Sequence, residues 1–223
     1  MASHRAPRLA KKPPDQYHHG DLQRALLQAA VRTIQKHGIA GLTLRAVGEE
    51  LGVSRSALYR HFADKAALLE AVAREGFRTF RLALLAGWEG AGRGLAGFDA
   101  MGMAYVHFAL EHPWHYRVMF GSGFDRSASN PELTEESSGA FQVLVDALVE
   151  LQGQGLVRSD DPQSLAHFIW ALVHGIAMLA IDGPLQHDGV DIDALTRFAI
   201  ERLHTGIAAG PSAEGRATPV TLR

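Results

Sequence analysis

Wherever this chain is rich in apolar residues, they recur at steps of three and four. One stretch places them at Leu22, Ala25, Leu26, Ala29 and Ala30, with Ile34 continuing the stripe. A later one places them at Leu69, Val72, Ala73, Gly76, Phe77, Phe80, Ala83 and Leu84. That is the period of one helix face. No stretch alternates with a period of two and no internal repeat is present. The chain therefore reads as all-α.

Capping and breaking residues divide the pattern. Asp21 stands where an N-cap belongs for the first helix and Gly38 where it should stop. Thr43 caps a short second helix ending at Leu51-Gly52, and Ser54 caps a third from Arg55 to His61. Two short helices around a glycine-containing turn are a helix-turn-helix pattern. Asp64 then caps a long fourth helix, which Gly87–Gly94 should interrupt as a loop. A fifth helix carries Phe98, Met101, Gly102, Tyr105, Phe108 and Ala109 on one face; Pro113 ends it and opens a sixth through Phe120. Residues 121–131 read as loop and Phe141–Leu151 as an amphipathic helix. Asp160-Asp161-Pro162 opens a helix over Gln163–Ile181 that is apolar on every side, so burial on every side is expected. A last helix spans Ile192–Ala208.

Composition narrows the function classes. The 223 residues contain no cysteine, which excludes disulfides, thiolate zinc sites and cysteine nucleophiles. The first residues, MASHRAPRLAKKPP, lack the apolar run of a signal peptide. The longest apolar run is broken by His167, His174 and Gly175 and is short for a membrane span. A cytoplasmic protein without a membrane partner is expected. The net charge of −2 conceals an asymmetry of +6 over residues 1–65 and −8 over 66–223. Either a polyanion-binding head is joined to a non-binding body, or the surface is patterned by chance.

On the third helix, Arg55, Ser56, Tyr59, Arg60 and His61 are not needed inside. They suit a major-groove reader, with Arg55 able to fork onto a guanine edge. Tyr59, Thr43 and Lys65 suit phosphate oxygens, which fix register. A solvated polar face is the plainer alternative. The run GLTLRAVGEELGVSRSALYRHFADKAALLEAV (Gly41–Val72), preceded by LLQAAVRTIQKHG, closely resembles the tetracycline-repressor-like (TetR) family of bacterial regulators. Gly48 departs from the alanine usual there, at a helix-propensity cost of roughly 1 kcal/mol. Carried over by position, the resemblance implies DNA contacts at Thr43, Arg45, Arg55, Ser56, Tyr59, His61 and Lys65.

The second half resembles a C-terminal sensor type named for a Trp-His-Gly motif, here Trp170, His174 and Gly175, together with AYVHFALEHPWHYRVMF (Ala104–Phe120). The resemblance implies a helical bundle with a ligand pocket, and a homodimer through the last two long helices. An apolar pocket needs a few polar groups to orient its ligand, and His174 is the leading candidate; the alternative is a histidine satisfied by a backbone carbonyl. Trp170 and Met178 share its face, and Phe77, Met101, Tyr105, Trp114 and Phe120 are further candidates, although such stripes also arise as plain core. Twelve histidines form no HExxH or other closed ligand set, so no metal and no cofactor is expected.

The expected organisation is a basic arm over 1–15, a helix-turn-helix domain over 16–65, a ligand-sensing and dimerisation domain over 66–209, and a disordered tail over 210–223. The expected function is a sequence-specific transcriptional regulator, a repressor released from a pseudo-palindromic double-stranded operator by a small effector. An activator, an enzyme built on the C-terminal bundle and a purely architectural DNA-binding protein are the alternatives. No nucleophile elbow, phosphate loop or paired carboxylates support the enzyme.

Overall fold

Cap hydroxyls and one left-handed glycine set out the first part of the chain. The structure, a computed structural model, describes residues 19–121 and 130–208. The arm at 1–15, the tail at 210–223 and most of the loop expected at 121–131 lie outside the described residues. By its internal contacts the chain divides into two compact units after Lys65.

In the first unit, α1 (His19–Gly41) begins two residues before Asp21, which therefore lies in the first turn and not at the cap. Gly38 stops its regular run as expected: the backbone leaves the helical region there at φ 70°, ψ 172°, and a short further turn carries the element to Gly41. α2 (Leu44–Leu51) starts at Thr43, whose side chain accepts from the Ala46 N–H, and stops at Gly52 in the left-handed region. α3 (Arg55–Tyr59) starts at Ser54, which accepts from the Ala57 N–H. It ends two residues before the expected His61, because the His61 and Phe62 N–H groups both close onto the Leu58 carbonyl, at 3.0 and 3.1 Å. That tightening keeps both Leu58 and Phe62 buried. The Gly48 departure has a local use, since a Cβ there would lie 3.2 Å from Leu58 Cδ1. Glu50 ties α1 to α2 by pairing with Arg32 at 2.6 Å and meeting the buried Thr33 hydroxyl at 3.3 Å.

The second unit holds α4 (Lys65–Gly90, its first residue being the last of the first unit), α5 (Gly94–Glu111), α6 (Pro113–Phe120), α7 (Pro131–Gly153), α8 (Pro162–Ile181), α9 (Pro184–His187) and α10 (Ile192–Ile207). α8 packs on α5, α7 and α10, and α10 packs on α5. Among the described residues there is no strand, only an isolated bridge between Val157 and Ala208. The all-α reading holds.

Three expectations give way here. The Gly87–Gly94 loop is mostly helix, with only 91–93 between α4 and α5. Of its glycines, Gly92 and Gly94 turn at φ 83° and 64° and make the break, whereas Gly87 serves close approach, a Cβ there lying 2.9 Å from the Ala100 carbonyl; beyond the segment, one on Gly97 would lie 2.4 Å from that of Trp88. Second, α7 begins ten residues before Phe141, where Asn130 accepts from the Glu132 N–H and Pro131 occupies the first turn. Third, α8 is not buried all round, because Phe168 is 57% and Leu179 49% exposed. By length and composition α8 is also the one described helix apolar enough to cross a membrane. In the structure it packs among α5, α7 and α10.

Candidate functional site

The first unit presents a polar surface around its two short helices. Thr43, Arg45, Arg55, Ser56 and Tyr59 are exposed, while His61 and Lys65 are half-buried. Each is restrained without being hidden. Arg45 pairs with Glu49 at 2.7 Å, and Lys65 donates to the Ala40 carbonyl at 3.1 Å. Arg55 lies 5.3 Å over the Tyr59 ring, and Ser56 shares a hydrogen bond with Ser54 at 3.1 Å. Thr43 uses a lone pair for its cap and keeps its hydroxyl proton to donate.

The second unit contains a partly open cavity of about 480 Å³, within the range of small-molecule sites. Helical spacing supplies each wall: Phe77, Phe80 and Leu84 from α4, Phe98, Met101 and Tyr105 from α5, Trp170 and Val173 from α8, and Ile200 and Leu203 from α10. Phe120 closes one end, edge-on to Phe77 at 5.4 Å. The first three turns of α7 complete the wall with Leu133, Thr134, Ser137 and Ser138.

Of the eight residues expected at a ligand site, Phe77, Met101, Tyr105, Phe120 and Trp170 line this cavity. Trp114, Met178 and His174 do not. Trp114 stacks under the Arg117 guanidinium at 5.3 Å. His174 stands behind the wall, its Nδ1 2.6 Å from the Tyr116 hydroxyl and 3.1 Å from that of Tyr105. The two hydroxyls are 2.9 Å apart, and Trp170 Nε1–H donates to Tyr105 at 2.9 Å. His174 is thus satisfied by phenols and not by a backbone carbonyl.

Trp170 donates to Tyr105, and a neutral network in which one phenol donates to the other and the second to a bare Nδ1 of His174 fits the distances. Burial favours this neutral form throughout, since it raises both phenol pKa values far above the ordinary range and lowers that of His174. Among the described residues no group of three or more acidic or imidazole side chains is placed to hold a metal. His107 instead pairs with Asp193 at 2.9 Å and His204 with Asp99 at 2.7 Å, both across the α5–α10 seam.

Sequence reasoning missed the α7 wall, together with Phe80, Phe98 and the α10 residues. Asn130-Pro131-Glu132 was the available signal for α7: a cap residue, a proline at the first helical position and an acid in the first turn.

A short, polar-faced helix pair in one unit and a largely apolar cavity in the other are the parts of a DNA-binding transcriptional regulator. Residues 26–72 match the model of bacterial regulatory proteins of the tetR family, and residues 98–203 match that of the tetracycline-repressor-like C-terminal domain. The chain belongs to the TetR family. The C-terminal match does not distinguish the Trp-His-Gly type.

The HTH-type transcriptional regulator Rv0681 of Mycobacterium tuberculosis is 26% identical over 189 residues, covering 82% of this chain and 80% of that protein. The HTH-type transcriptional repressor AcnR of Corynebacterium diphtheriae is 44% identical over 50 residues, covering only 22% of this chain and 26% of the repressor. A solved structure of a Rhodococcus sp. RHA1 protein of unknown function superposes with a TM-score of 0.78 at 35% identity, covering 87% of this chain and 99% of that one.

Proposed function

We propose that this protein is a sequence-specific repressor, without catalytic activity, that leaves its operator when a small effector enters the cavity of the second unit. The observation that carries the effector is the cavity itself, a space of about 480 Å³ bounded by side chains from six helices. A cavity of that size is a loss of packing that a purely structural bundle has no use for. The repressor direction comes from a relative named as a transcriptional repressor, 44% identical over 50 residues.

Thr43, Arg45, Arg55, Ser56, Tyr59, His61 and Lys65 contact a pseudo-palindromic operator from the two heads of a homodimer, and α8 with α10 makes the dimer. Gly175 supports this, since a Cβ there would meet nothing within 4 Å in the single chain. α4 starts at Lys65 and carries Phe77 and Phe80 on the cavity wall, so it is the element through which occupancy acts. A protein working on chromosomal DNA is placed in the cytoplasm.

The test is mobility-shift binding of the purified protein to the DNA flanking its own gene, with Arg55→Ala and Lys65→Ala alongside. Arg55→Ala should cost about 1–3 kcal/mol on the cognate site and relax sequence preference. Lys65→Ala should weaken all sequences alike. A uniform loss in both variants would remove Arg55 as a base reader, and tight binding of every sequence by the wild type would make the protein architectural.

A further inference from the structure

The wall of the cavity is anchored unevenly, and its least anchored part is held by charge. From Ala140 onward α7 buries Ala140, Val143, Val145, Ala147, Leu148 and Leu151; before Ala140 it buries Leu133 alone. That first part also lines the cavity, through Leu133, Thr134, Ser137 and Ser138. A segment with so little buried apolar surface moves at lower free energy than the rest of its domain.

Two arginines of α4 reach across to it. Arg74 pairs with Glu132, and Arg81 with Glu136 at 3.3 Å. The stem of Arg81 runs along the α7 backbone, where a Cβ on Gly139 would lie 3.5 Å from its Cδ. α7 packs on α5 and α8, and these side chains tie its first turns to α4 as well.

The Arg81–Glu136 pair is incompletely made. Arg81 Nε and Glu136 Oε2 are both buried, and neither has a hydrogen-bond partner. The two groups neutralise each other without closing the two-bonded fork that arginine and carboxylate prefer. A buried donor and a buried acceptor left open are costly, and a small shift of these first turns would satisfy both. The segment therefore has two arrangements within reach, the one seen and one with the fork closed, and packed elements switch between such discrete states.

We infer that Arg81 and Glu136, with Arg74 and Glu132 beside them, are positioning residues that carry the state of the cavity wall to α4; this deepens the reading of the cavity as an effector site and rests on it. None of the four lines the cavity. They act through their neighbours on α7: a molecule seated against Leu133, Thr134, Ser137 and Ser138 sets where the first turns lie, and the ion pairs make α4 follow. α4 begins at Lys65, the last residue of the first unit. The same pairs must then make the wall answer to operator DNA, because coupling between two sites is reciprocal.

Reciprocity allows a test that needs no effector. Amide hydrogen exchange of the full-length protein is followed by mass spectrometry, free and saturated with a duplex taken from the DNA flanking its own gene or selected from random sequence. Operator binding fixes α4, so the amides of residues 132–139 should exchange roughly fivefold or more slowly in the complex, while those of 143–151 stay unchanged. In Arg81→Gln, and equally in Glu136→Gln, operator binding should persist and the response over 132–139 should fall below about twofold. The double variant should match either single one, because the two residues act as one contact. Ser137→Phe, which presses on the wall from inside, should weaken operator binding about tenfold, and adding Arg81→Gln should restore most of that loss.

Unchanged exchange over 132–139 in the wild-type complex overturns the proposal, as does a response that survives in either single variant or disappears only because operator binding is lost. A Ser137→Phe effect that persists beside Arg81→Gln also overturns it, since the wall would then reach α4 by another route. The expected exchange results with operator binding unaltered by Ser137→Phe overturn the effector reading of the cavity alone. A wild type that binds no duplex from either source removes the operator reading, and the proposal with it.

Discussion

At Tyr105 one hydroxyl meets Trp170, Tyr116 and His174 within 3.1 Å, which changes what His174 is for. The ring faces the phenols from behind the cavity wall and so positions Tyr105 without reaching the ligand. His174→Ala leaves buried phenols short of an acceptor and should cost about 1–3 kcal/mol of unfolding free energy, read from the urea midpoint. Trp170→Ala, by contrast, removes part of the wall itself and should lower effector affinity well beyond any loss from His174→Ala. The opposite ranking would put His174 back in contact with the ligand. The sequence showed that an imidazole and an indole share this face, but the phenols that satisfy them come from α5 and α6, 58 to 69 positions away from His174, and periodicity carries no such information.

His115 gives the residue scale its pH dependence. Burial, reinforced by His112, pushes its pKa from 6.5 down to about 4. The unfolded chain therefore binds a proton that the folded one refuses, and stability falls as pH drops below about 6.5, levelling near 4. The gap is worth about 3 kcal/mol to order of magnitude. In His115→Gln this portion of the acid loss should disappear from urea titrations at successive pH values; an unchanged acid limb would mean the ring stays solvated.

At the scale of elements, the sequence was most legible where helices bury ordinary faces. The short caps at Thr43, Ser54 and Asp161 were all recognisable, and each accepts the expected backbone N–H. Legibility failed for the first half of α7. Its inward side borders a cavity, so Thr134, Ser137 and Ser138 stand where a packed helix would show leucines, and the apolar period vanishes there for a functional reason. The α4–α5 connection failed differently, because the break is confined to the turn at Gly92 and Gly94, while Gly87, like Gly97 beyond the turn, is a spacer at a helix crossing. Gly97→Ala tests that reading: its Cβ would press on the Trp88 carbonyl, an unyielding backbone atom, and should cost about 1–3 kcal/mol. Gly90→Ala meets nothing within 4 Å and should be neutral or gain up to about 1 kcal/mol of helix propensity. Equal urea midpoints for the two variants would show that the crossing adjusts freely.

For the whole molecule, the exposed face of α8 matters most. Phe168 and Leu179 stand exposed on it, Phe198 is 53% exposed on α10, and exposed apolar side chains of this size call for a partner surface. Covering them with a second copy would also supply the second reading head, since one short α3 contacts too few base pairs to single out an operator. Heads roughly 34–36 Å apart would read half-sites one turn apart. Phe168→Glu should therefore yield monomers in sedimentation at micromolar concentration and abolish tight operator binding. Regulation then follows from linkage: an effector releases the operator only by binding the free dimer more tightly than the DNA-bound one, and operator DNA must weaken effector binding by the same factor. Measured by calorimetry with and without saturating operator, a tenfold loss of operator affinity on effector binding should be matched by a tenfold loss of effector affinity on DNA. A wild type that is monomeric at micromolar concentration, or an effector that binds free and DNA-bound protein equally, would overturn the release mechanism.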